Sequence, residues 1–357
     1  MLRREMTRVT RYRYLLAIAA TLLALVCVEV LCRFFIPAPA SLRFQQDIDE
    51  LEGMQLHAAT GIIENDPELF WRLAPDKRLP DNAWPFFGIV SNGQSLREDH
   101  DIPLAKPDGE IRILFLGDSC TYGYGVAHDR TFAAVAESLL REQGVAGYVE
   151  CINAGVPGYT LFQGYRYLAT QGLRYQPDLV VLNFGWNDYG MWDDLSDAEH
   201  YALLQAMQPP PPLRRSHLFR LIWSRTRTRP APRSPHEKRP RLLPGEFAET
   251  LENLHALPHE RRIPILILVW PMRDNIGDTP SGLRSQLQME MIAFGQAHPL
   301  LTSPHVSGVL DLIPLGRALV EEHGFAAVYF DHGHVTPLAH QAIAASIIDH
   351  LGPWLEK

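Results

Sequence analysis

Four short motifs in this 357-residue chain contain the residue types that nucleophilic catalysis requires. The first, Gly117-Asp118-Ser119, ends an apolar run that begins at Ile111 and has the pattern of a buried strand. That pattern would present a serine at the end of a sheet, where open α/β folds place their chemistry. A strand that ends in an ordinary polar turn would show the same pattern. The other three motifs are therefore needed to distinguish a catalytic serine from a turn residue. They are Asn153-Ala154-Gly155-Val156-Pro157-Gly158, Gly185-Trp186-Asn187-Asp188 and Asp331-His332-Gly333-His334-Val335-Thr336-Pro337.

The chemistry that these residue types allow is acyl transfer through a serine. A serine hydroxyl is a poor nucleophile until a neighbouring imidazole accepts its proton. The imidazole in turn needs a carboxylate that fixes its tautomer and stabilises its charged form. The oxygen that becomes negative in the intermediate needs hydrogen-bond donors, and backbone N–H groups or an asparagine amide can supply them.

Strands and helices alternate along the chain from residue 111 onward. Buried strands are predicted over Ile111–Leu116, Val149–Asn153, Leu179–Phe184, Ile263–Trp270 and Val309–Leu312. Helices are predicted over Phe132–Gly144, Leu161–Gly172, Phe247–Leu257, Leu283–Phe294, Leu315–His323 and Pro337–Leu351. Continuous apolar strands that alternate with helices predict an α/β fold, a doubly wound parallel sheet in three α/β/α layers. Loops that follow the strands of such a sheet meet at one edge, which would bring the four motifs together.

Together the motifs resemble the SGNH hydrolases, also called the GDSL lipases and esterases, over roughly residues 108–352. The resemblance implies a flavodoxin-like fold and a serine ester hydrolase that uses no cofactor and no metal. It implies that Ser119 is the nucleophile, His334 the base and Asp331 the acid. It also implies an oxyanion hole made of the backbone N–H groups of Ser119 and Gly158 and the side-chain amide of Asn187.

Several alternatives to these roles are open at this stage. His332 is a second candidate for the base, and Gly155 is a second candidate for the oxyanion glycine. His340, one turn into the last helix, is expected at the surface or behind the catalytic residues. The histidines around Asp331 could also ligate a metal, although the serine and asparagine motifs would then have no use.

Two positions depart from the commonest family pattern. Cys120 replaces the leucine of the GDSL name, and we expect its side chain to fill a turn position. Trp186 replaces a frequent glycine and would narrow the acyl site, which argues against long-chain lipase activity. Trp186 and Tyr159 flank the oxyanion motifs, so both are expected to line a pocket.

The N-terminus has the pattern of a membrane anchor. Residues 1–13 carry five arginines and one glutamate and are predicted to be a basic cytoplasmic tail. Residues 14–36 are apolar enough and long enough to cross a bilayer as a signal-anchor. A cleaved signal peptide is the alternative, because Ala38-Pro39-Ala40 resembles a cleavage site. The anchor predicts a single-pass protein of the inner (cytoplasmic) membrane with its catalytic domain on the periplasmic side.

The rest of the chain divides into an extension and a hydrolase domain. Residues 37–107 are predicted to be a membrane-proximal extension, with short strands at Phe70–Leu73 and Phe87–Val90. Within the 108–357 hydrolase domain, residues 209–244 are rich in proline and arginine and are predicted to be a mobile surface insertion. That insertion is either a solvated loop or a cationic flap that contacts anionic lipid or an acidic polymer.

The charge distribution excludes nucleic acid as a partner. The formal net charge is −8, and the two basic segments at 1–13 and 209–244 leave −21 for the remainder. Cys27 and Cys32 lie in the apolar segment. Cys120 and Cys151 are expected roughly 10 Å apart on the strand pattern, which is too far for a disulfide.

The leading functional hypothesis is a membrane-anchored esterase that removes O-acyl groups, O-acetyl among them, from an envelope carbohydrate or lipid. The Asn92-Gly93-Gln94-Ser95-Leu96-Arg97 stretch and the anchor look like the anchored bacterial members of the family. An O-acyltransferase that acts on an extracellular polysaccharide with the same triad is the alternative. A non-catalytic glycan-binding or assembly protein is the third hypothesis, against which the intact motifs argue.

Overall fold

The computed structural model describes residues 2–35, 61–80, 82–84, 91–144, 148–191, 194–226, 238–259, 261–276, 283–300 and 308–355. Contacts divide the chain into two units, Met1–Asp47 with Ala202–Ala231 and Ile48–Tyr201 with Pro232–Lys357. The predicted strand at Phe87–Val90 lies outside the described residues.

Seven strands are described. They are β1 (Ile63–Asp66), β2 (Phe70–Leu73), β3 (Ile111–Gly117), β4 (Val149–Gly155), β5 (Leu179–Asn183), β6 (Ile265–Val269) and β7 (Val309–Asp311). The last five form one parallel sheet in the order β4-β3-β5-β6-β7. The bounds predicted for these five strands differ from the observed ones by no more than two residues at either end.

Twelve α-helices accompany the strands in the described part of the chain. They are α1 (Leu2–Phe35), α2 (Ser119–Tyr122), α3 (Phe132–Glu142), α4 (Leu161–Thr170), α5 (Asp197–Met207), α6 (His217–Thr226), α7 (Pro244–His259), α8 (Arg273–Ile276), α9 (Leu283–Ala297), α10 (Ile313–His323), α11 (Phe325–Val328) and α12 (Pro337–Leu355).

Helices cover both faces of the parallel sheet. Ile113 and Phe115 of β3 point to the face that α3 and α12 cover, and the Phe115 ring lies 5.5 Å from that of Phe132 on α3. The alternate residue Leu114 points to the opposite face, where α4 and α7 pack against each other. Because β strands alternate their side chains, both faces of an apolar strand are buried this way. The predicted three-layer α/β/α fold is confirmed.

The winding of the sheet reverses at β3, and this reversal positions the site. The chain passes from β3 to β4 on one side and later places β5 on the other side. Gly117, the last residue of β3, is level with Gly155 of β4 and Asn183 of β5. The loops after all three strands therefore leave the sheet at one place, the crevice where doubly wound folds bind ligands.

The hairpin of β1 and β2 packs beside the parallel sheet and supports one of its loops. β1 and β2 form an antiparallel hairpin, and Trp71 on β2 is fully buried. The Trp71 indole N–H donates to the carbonyl of Pro157 (2.9 Å), and the Tyr159 hydroxyl donates to the carbonyl of Trp71 (2.7 Å). The hairpin thus fixes both sides of Gly158, so this part of the predicted extension belongs with the hydrolase core.

The predicted insertion at 209–244 has regular secondary structure in part of its described residues. These include a 3₁₀ turn at Pro211–Leu213 and the helix α6, so the prediction of a loop is wrong for them, while the predicted mobility stays a prediction. At its far end Arg241 and Leu242 are buried in the larger unit. The composition of this segment is that of a solvated loop. Composition alone cannot show that one of its arginines pairs with a buried carboxylate in the fold.

The smaller unit contains one helix with the length and composition of a membrane span. Thr10–Phe35 within α1 is 26 residues long, about 39 Å at 1.5 Å per residue. Its large apolar side chains are exposed in the protein, as expected of a helix that faces lipid. A signal sequence has the same length and composition, so the helix is compatible with either.

His340 on α12 is buried rather than exposed, which corrects the surface alternative. Its Nδ1 accepts a hydrogen bond from the Phe132 backbone N–H (3.1 Å), and its ring stacks on that of Phe132. Burial, together with the charge of His334, lowers the pKa of His340 to about 3. The fold therefore requires a neutral imidazole at this position.

This requirement makes the stability of the fold sensitive to acid. The folded-state pKa of His340 lies below the unfolded value near 6.5, so its contribution is complete above pH 6.5 and declines as pH falls toward 3. We expect His340 to contribute a loss of up to about 1.4 kcal/mol of unfolding free energy per pH unit in this window. Urea denaturation between pH 7 and pH 5 measures it. His340→Gln, which cannot protonate, should show a flatter slope than wild type, and an equal slope would contradict the argument.

Candidate active site

Ser119 begins the short helix α2 directly after β3. The Asp118 side chain caps this helix, because its Oδ1 accepts the N–H of Cys120 at 2.9 Å. A side chain on Gly155 would meet the backbone of Tyr122 on α2 at 2.2 Å. Glycine at this position therefore lets the helix that carries the nucleophile pack directly against the end of β4.

Ser119, His334 and Asp331 form a continuous hydrogen-bonded chain. Nε2 of His334 lies 2.8 Å from Oγ of Ser119, and its Nδ1 lies 2.6 Å from Oδ2 of Asp331. The other carboxylate oxygen of Asp331 accepts the backbone N–H groups of Gly333 (2.9 Å) and His334 (2.8 Å). The turn therefore holds the imidazole and its carboxylate in one geometry.

The charge state of Asp331 fits this arrangement. Burial would raise its pKa, but the hydrogen bonds and positive charge of His334 outweigh burial and hold the pKa below its ordinary value. An ionised Asp331 accepts the Nδ1–H of His334, which leaves Nε2 free to accept the Ser119 hydroxyl proton. The three groups can thus perform general-base activation of a serine.

His332 lies apart from this chain. Its side chain is 69% exposed, and its Nδ1 is 3.9 Å from the carboxylate of Asp274. The geometry brings His334, and not His332, to the serine.

Two backbone N–H groups near Ser119 have no acceptor among the described residues. They belong to Ser119 itself and to Gly158, which adopts the left-handed backbone conformation at φ +81°. The N–H of Gly155, by contrast, donates to Oδ1 of Asn153 at 3.0 Å. Gly158 is therefore the better candidate for an oxyanion donor, and Gly155 serves the close packing of α2.

Asn187 lies between the nucleophile turn and the Gly158 loop. Its amide nitrogen donates to Oδ2 of Asp118 (3.1 Å) and to the carbonyl of Tyr159 (3.0 Å). Both amide hydrogens are engaged, so Asn187 serves an oxyanion only by sharing one of them. Burial raises the pKa of Asp118 to about 6, against the lowering effect of the Cys120 N–H and the His334 charge.

Asp188, next to Asn187, shapes this turn. It is fully buried and accepts the N–H groups of Gly185 (2.9 Å) and Leu161 (2.8 Å). Burial raises the pKa of Asp188 to about 7, although these two hydrogen bonds and the charge of Arg241 act in the opposite direction.

Arg241 is the residue near the site that sequence reasoning missed. Its Nη1 donates to the carbonyl of Gly158 at 2.6 Å, while Nε and Nη2 hold the buried Asp197 at 2.9 and 2.8 Å. Nη2 also donates to Oε1 of Gln163 at 2.6 Å. The guanidinium therefore fixes the peptide that follows Gly158, next to the candidate oxyanion donor. The insertion contains nine arginines, and nothing in the sequence distinguishes Arg241 from the other eight.

Aromatic side chains lie near the triad. The Tyr124 ring lies 4.4 Å from that of His334. Trp84 (56% exposed) and Phe330 (38% exposed) are in edge contact at 4.9 Å, with Phe330 adjacent to Asp331 in sequence. Tyr159, predicted to line a pocket, is instead fully buried.

Trp186 is partly buried beside Asn187 and packs against the core. In the part of the chain that the structure describes, no group of three or more His, Cys, Asp or Glu is arranged to hold a metal ion.

Comparison with known proteins gives one match to a family and several matches to solved structures. Residues 115–342, well over half of the chain, match the model of the GDSL-like lipase/acylhydrolase family. A search of curated proteins found no match.

The chain is similar in structure to three esterases and acylhydrolases, among others. One is the acetyl xylan esterase AlAXEase (16% identity, 67% of this chain and 98% of that one, TM-score 0.43). Another is a lipase/acylhydrolase from Enterococcus faecalis (20% identity, 68% and 95%, TM-score 0.43). The third is a variant of Axe2, an acetyl xylan esterase from Geobacillus stearothermophilus (16% identity, 68% and 94%, TM-score 0.44).

Proposed function

This chain belongs to the GDSL-like lipase/acylhydrolase family and is an ester-bond hydrolase, and from that premise we propose its catalytic residues, its substrate and its location. It is a membrane-anchored serine esterase that removes short O-acyl groups, O-acetyl among them, from an envelope carbohydrate. Ser119 is the nucleophile, His334 the base and Asp331 the acid. The observation that carries the proposal is the unbroken hydrogen-bonded chain from Ser119 through His334 to Asp331.

The mechanism follows from the positions of these groups. His334 Nε2 takes the proton of the Ser119 hydroxyl as Oγ attacks the ester carbonyl, and Asp331 stabilises the resulting imidazolium. The N–H groups of Ser119 and Gly158 and the amide of Asn187 stabilise the oxyanion. His334 then returns the proton to the leaving alcohol, and a water activated in the same way releases the acyl group from the serine.

Two features support a short acyl group on a carbohydrate. Trp186, which is partly buried next to Asn187, is expected to narrow the acyl site. Trp84 and Phe330 present exposed ring faces close to Asp331, and exposed apolar surface beside a reactive site is typical of a ligand-binding groove. Aromatic faces pack well against the C–H faces of sugar rings, whereas an acyl chain would need a continuous apolar channel.

Location is the third part of the proposal. α1 anchors the protein in the inner membrane, with the basic residues 1–13 in the cytoplasm and the hydrolase domain on the periplasmic side. The support is the length and apolar exposed surface of Thr10–Phe35 and the arginine excess before it.

A fluorophosphonate probe and an ester panel test the proposed activity. The full chain should be labelled by the probe on Ser119, and Ser119→Ala should not be labelled. The panel, from acetyl to long acyl esters, should show the highest kcat/KM for acetyl or similarly short groups. Equal labelling of Ser119→Ala would overturn the role of the serine, and a preference for long chains would overturn the substrate class.

Trp84 provides a test of carbohydrate binding. We expect Trp84→Ala to raise the KM for an acetylated oligosaccharide about fivefold, because one aromatic contact contributes about 1 kcal/mol. The kcat, and the kinetics of a small aryl acetate, should stay near wild type. Tyr148→Ala removes an exposed aromatic at the opposite edge of the sheet and is the matched control. An unchanged oligosaccharide KM in Trp84→Ala would contradict carbohydrate binding there.

Arg241 provides a test of the oxyanion loop. We expect Arg241→Gln to lower kcat by roughly 10- to 100-fold, because displacement of a reacting group by about 1 Å has effects of this size. The KM should change little, since an oxyanion donor stabilises the transition state more than the bound ester. Arg239→Gln is the control, because Arg239 pairs with Glu246 and Glu199 away from Gly158. A loss of thermal stability with unchanged kcat would assign Arg241 a purely structural role.

A further inference from the structure

Helix α6 of the insertion is hydrogen-bonded to the membrane helix α1. The carboxylate of Glu29, on α1, accepts the backbone N–H groups of His217 (2.7 Å) and Leu218 (2.9 Å) at the start of α6. It also accepts the hydroxyl of Ser216 at 2.9 Å. A carboxylate at a helix N-terminus satisfies unpaired N–H groups and complements the helix dipole, so this contact fixes where α6 begins.

A second contact places α6 at the far end of α1. Arg33 pairs with Glu29 at 2.8 Å, and its Nη2 donates to the carbonyl of Arg215 at 2.8 Å. Glu29 is six residues before Phe35, the end of α1, which corresponds to about 9 Å along the helix. When α1 crosses a bilayer from a cytoplasmic N-terminus, this level is the boundary between acyl chains and headgroups on the far side.

α6 has the two-sided character of a helix that lies in such a boundary. At 100° per residue, Leu218, Phe219, Ile222 and Trp223 fall within an arc of about 140°, and Arg220 lies outside that arc. Ile222 is 52% exposed, and the rings of Phe219 and Trp223 are 5.6 Å apart. Ile222 and Arg220 lie about 160° apart around the helix, and an apolar face opposite an arginine is typical of membrane-interface segments.

The charge of the segment favours an anionic surface. Residues 209–226 contain four arginines and no aspartate or glutamate. Glu29 is a carboxylate that reaches this segment, and it is engaged at the N-terminus of α6. Clustered arginines beside a membrane helix are attracted to anionic phospholipid headgroups.

We propose that α6 is an interfacial helix that lies on the outer leaflet of the membrane crossed by α1, with Ile222 and Trp223 in the acyl-chain boundary and its arginines on anionic phospholipid phosphates. This inference rests on the membrane anchoring proposed above. Residues 209–226 are then a membrane-bound segment rather than a loop in solvent.

Spin labels on the full chain test the proposal in vesicles of phosphatidylcholine with phosphatidylglycerol. Cys32, Cys120 and Cys151 are buried and Cys27 is exposed on α1, so a label on Cys27 reports whether α1 is inserted. Ile222→Cys and Arg220→Cys, each in a Cys27→Ser background, report the two sides of α6. Esterase activity of each labelled protein verifies the fold.

The expected result is that the labels at 27 and 222 collide with oxygen several-fold more than with a water-soluble nickel complex, while the label at 220 shows the reverse order. If the label at 222 collides more with the nickel complex while the label at 27 collides more with oxygen, the interfacial helix alone is overturned. A water-like label at 27 overturns the anchor itself. Omission of phosphatidylglycerol should move the 222 label toward water, and no dependence on this lipid would overturn the anionic partner.

Glu29 provides the variant that tests the tether. Glu29→Ala should shift the 222 label toward water while the label on Cys27 stays in the acyl chains. Thr21→Ala, elsewhere on α1, is the control and should leave both labels unchanged. If Glu29→Ala leaves the 222 label at its original depth, the contact with Glu29 does not position α6.

Discussion

Replacement of Ser119 by alanine is expected to lower kcat for ester hydrolysis by roughly 10⁴- to 10⁶-fold, the range for loss of a triad nucleophile. The reason is that Oγ of Ser119 is the atom that His334 Nε2 approaches at 2.8 Å. The remaining activity would come from the oxyanion donors acting on water. Thermal unfolding should be close to wild type, because the change removes one hydroxyl and leaves α2 and its Asp118 cap in place.

The control for this prediction is the neighbouring cysteine. Cys120 is buried, its Sγ faces the carbonyl of Gly333 at 3.5 Å, and burial raises the pKa of its thiol well above the ordinary value. A protonated, buried thiol is inert as a nucleophile. Cys120→Ala should therefore keep kcat within a few-fold of wild type, on the scale of an ordinary core substitution. Loss of activity in Cys120→Ala with retention in Ser119→Ala would reverse the assignment.

Replacement of Asp331 by asparagine is expected to lower kcat by about 10⁴-fold at neutral pH. Asparagine fits the same space but offers an N–H to Nδ1 of His334, which favours the tautomer that carries its proton on Nε2. That tautomer cannot accept the Ser119 proton. The KM should change little, because Asp331 acts through the imidazole, so kcat and kcat/KM should fall by the same factor.

The neighbouring acid–histidine pair supplies the comparison for Asp331. Asp274 and His332 approach each other on the same side of the molecule, yet neither contacts Ser119. Asp274→Asn and His332→Ala should each leave kcat near wild type. A large loss in His332→Ala would show that the alternative histidine is the base.

The sequence predicted the parallel sheet accurately because its strands are apolar on both faces. The runs at β5 and β6 have almost no polar residue that could face solvent, and such runs occur where helices cover both sides. The site residues could be proposed for a related reason, since Ser119, Asn187 and His334 all follow strands or precede a helix in a fixed order. What sequence order cannot provide is distance, and Asn187 illustrates this. Its two amide hydrogens are directed at Asp118 and Tyr159, which no motif indicates.

The missed features depend on contacts between residues far apart in the chain. Arg241 is 83 positions from Gly158, and its importance comes from the buried Asp197, whose charge requires a partner. β1 was missed because Ile63–Asp66 has one apolar residue and becomes a strand only by pairing with β2. His340 was expected at the surface or behind the catalytic residues, because a histidine one turn into a helix gives no sign that it accepts the Phe132 N–H.

The backbone segments on either side of residues 192–239, which include most of the insertion, have a consequence for how this enzyme could have diversified. Arg241 N–H donates to the Gly190 carbonyl, Leu242 N–H donates to the Asp188 carbonyl, and Met191 bridges to Pro240. The chain thus leaves and re-enters the larger unit at one place, where the two backbone segments are hydrogen-bonded to each other. The entropy of closing a loop grows only with the logarithm of its length. Segments of very different length and chemistry could therefore replace residues 209–237 during evolution, or by engineering, without disturbing the loop that holds Gly158, provided that Asp197 and Arg241 are kept.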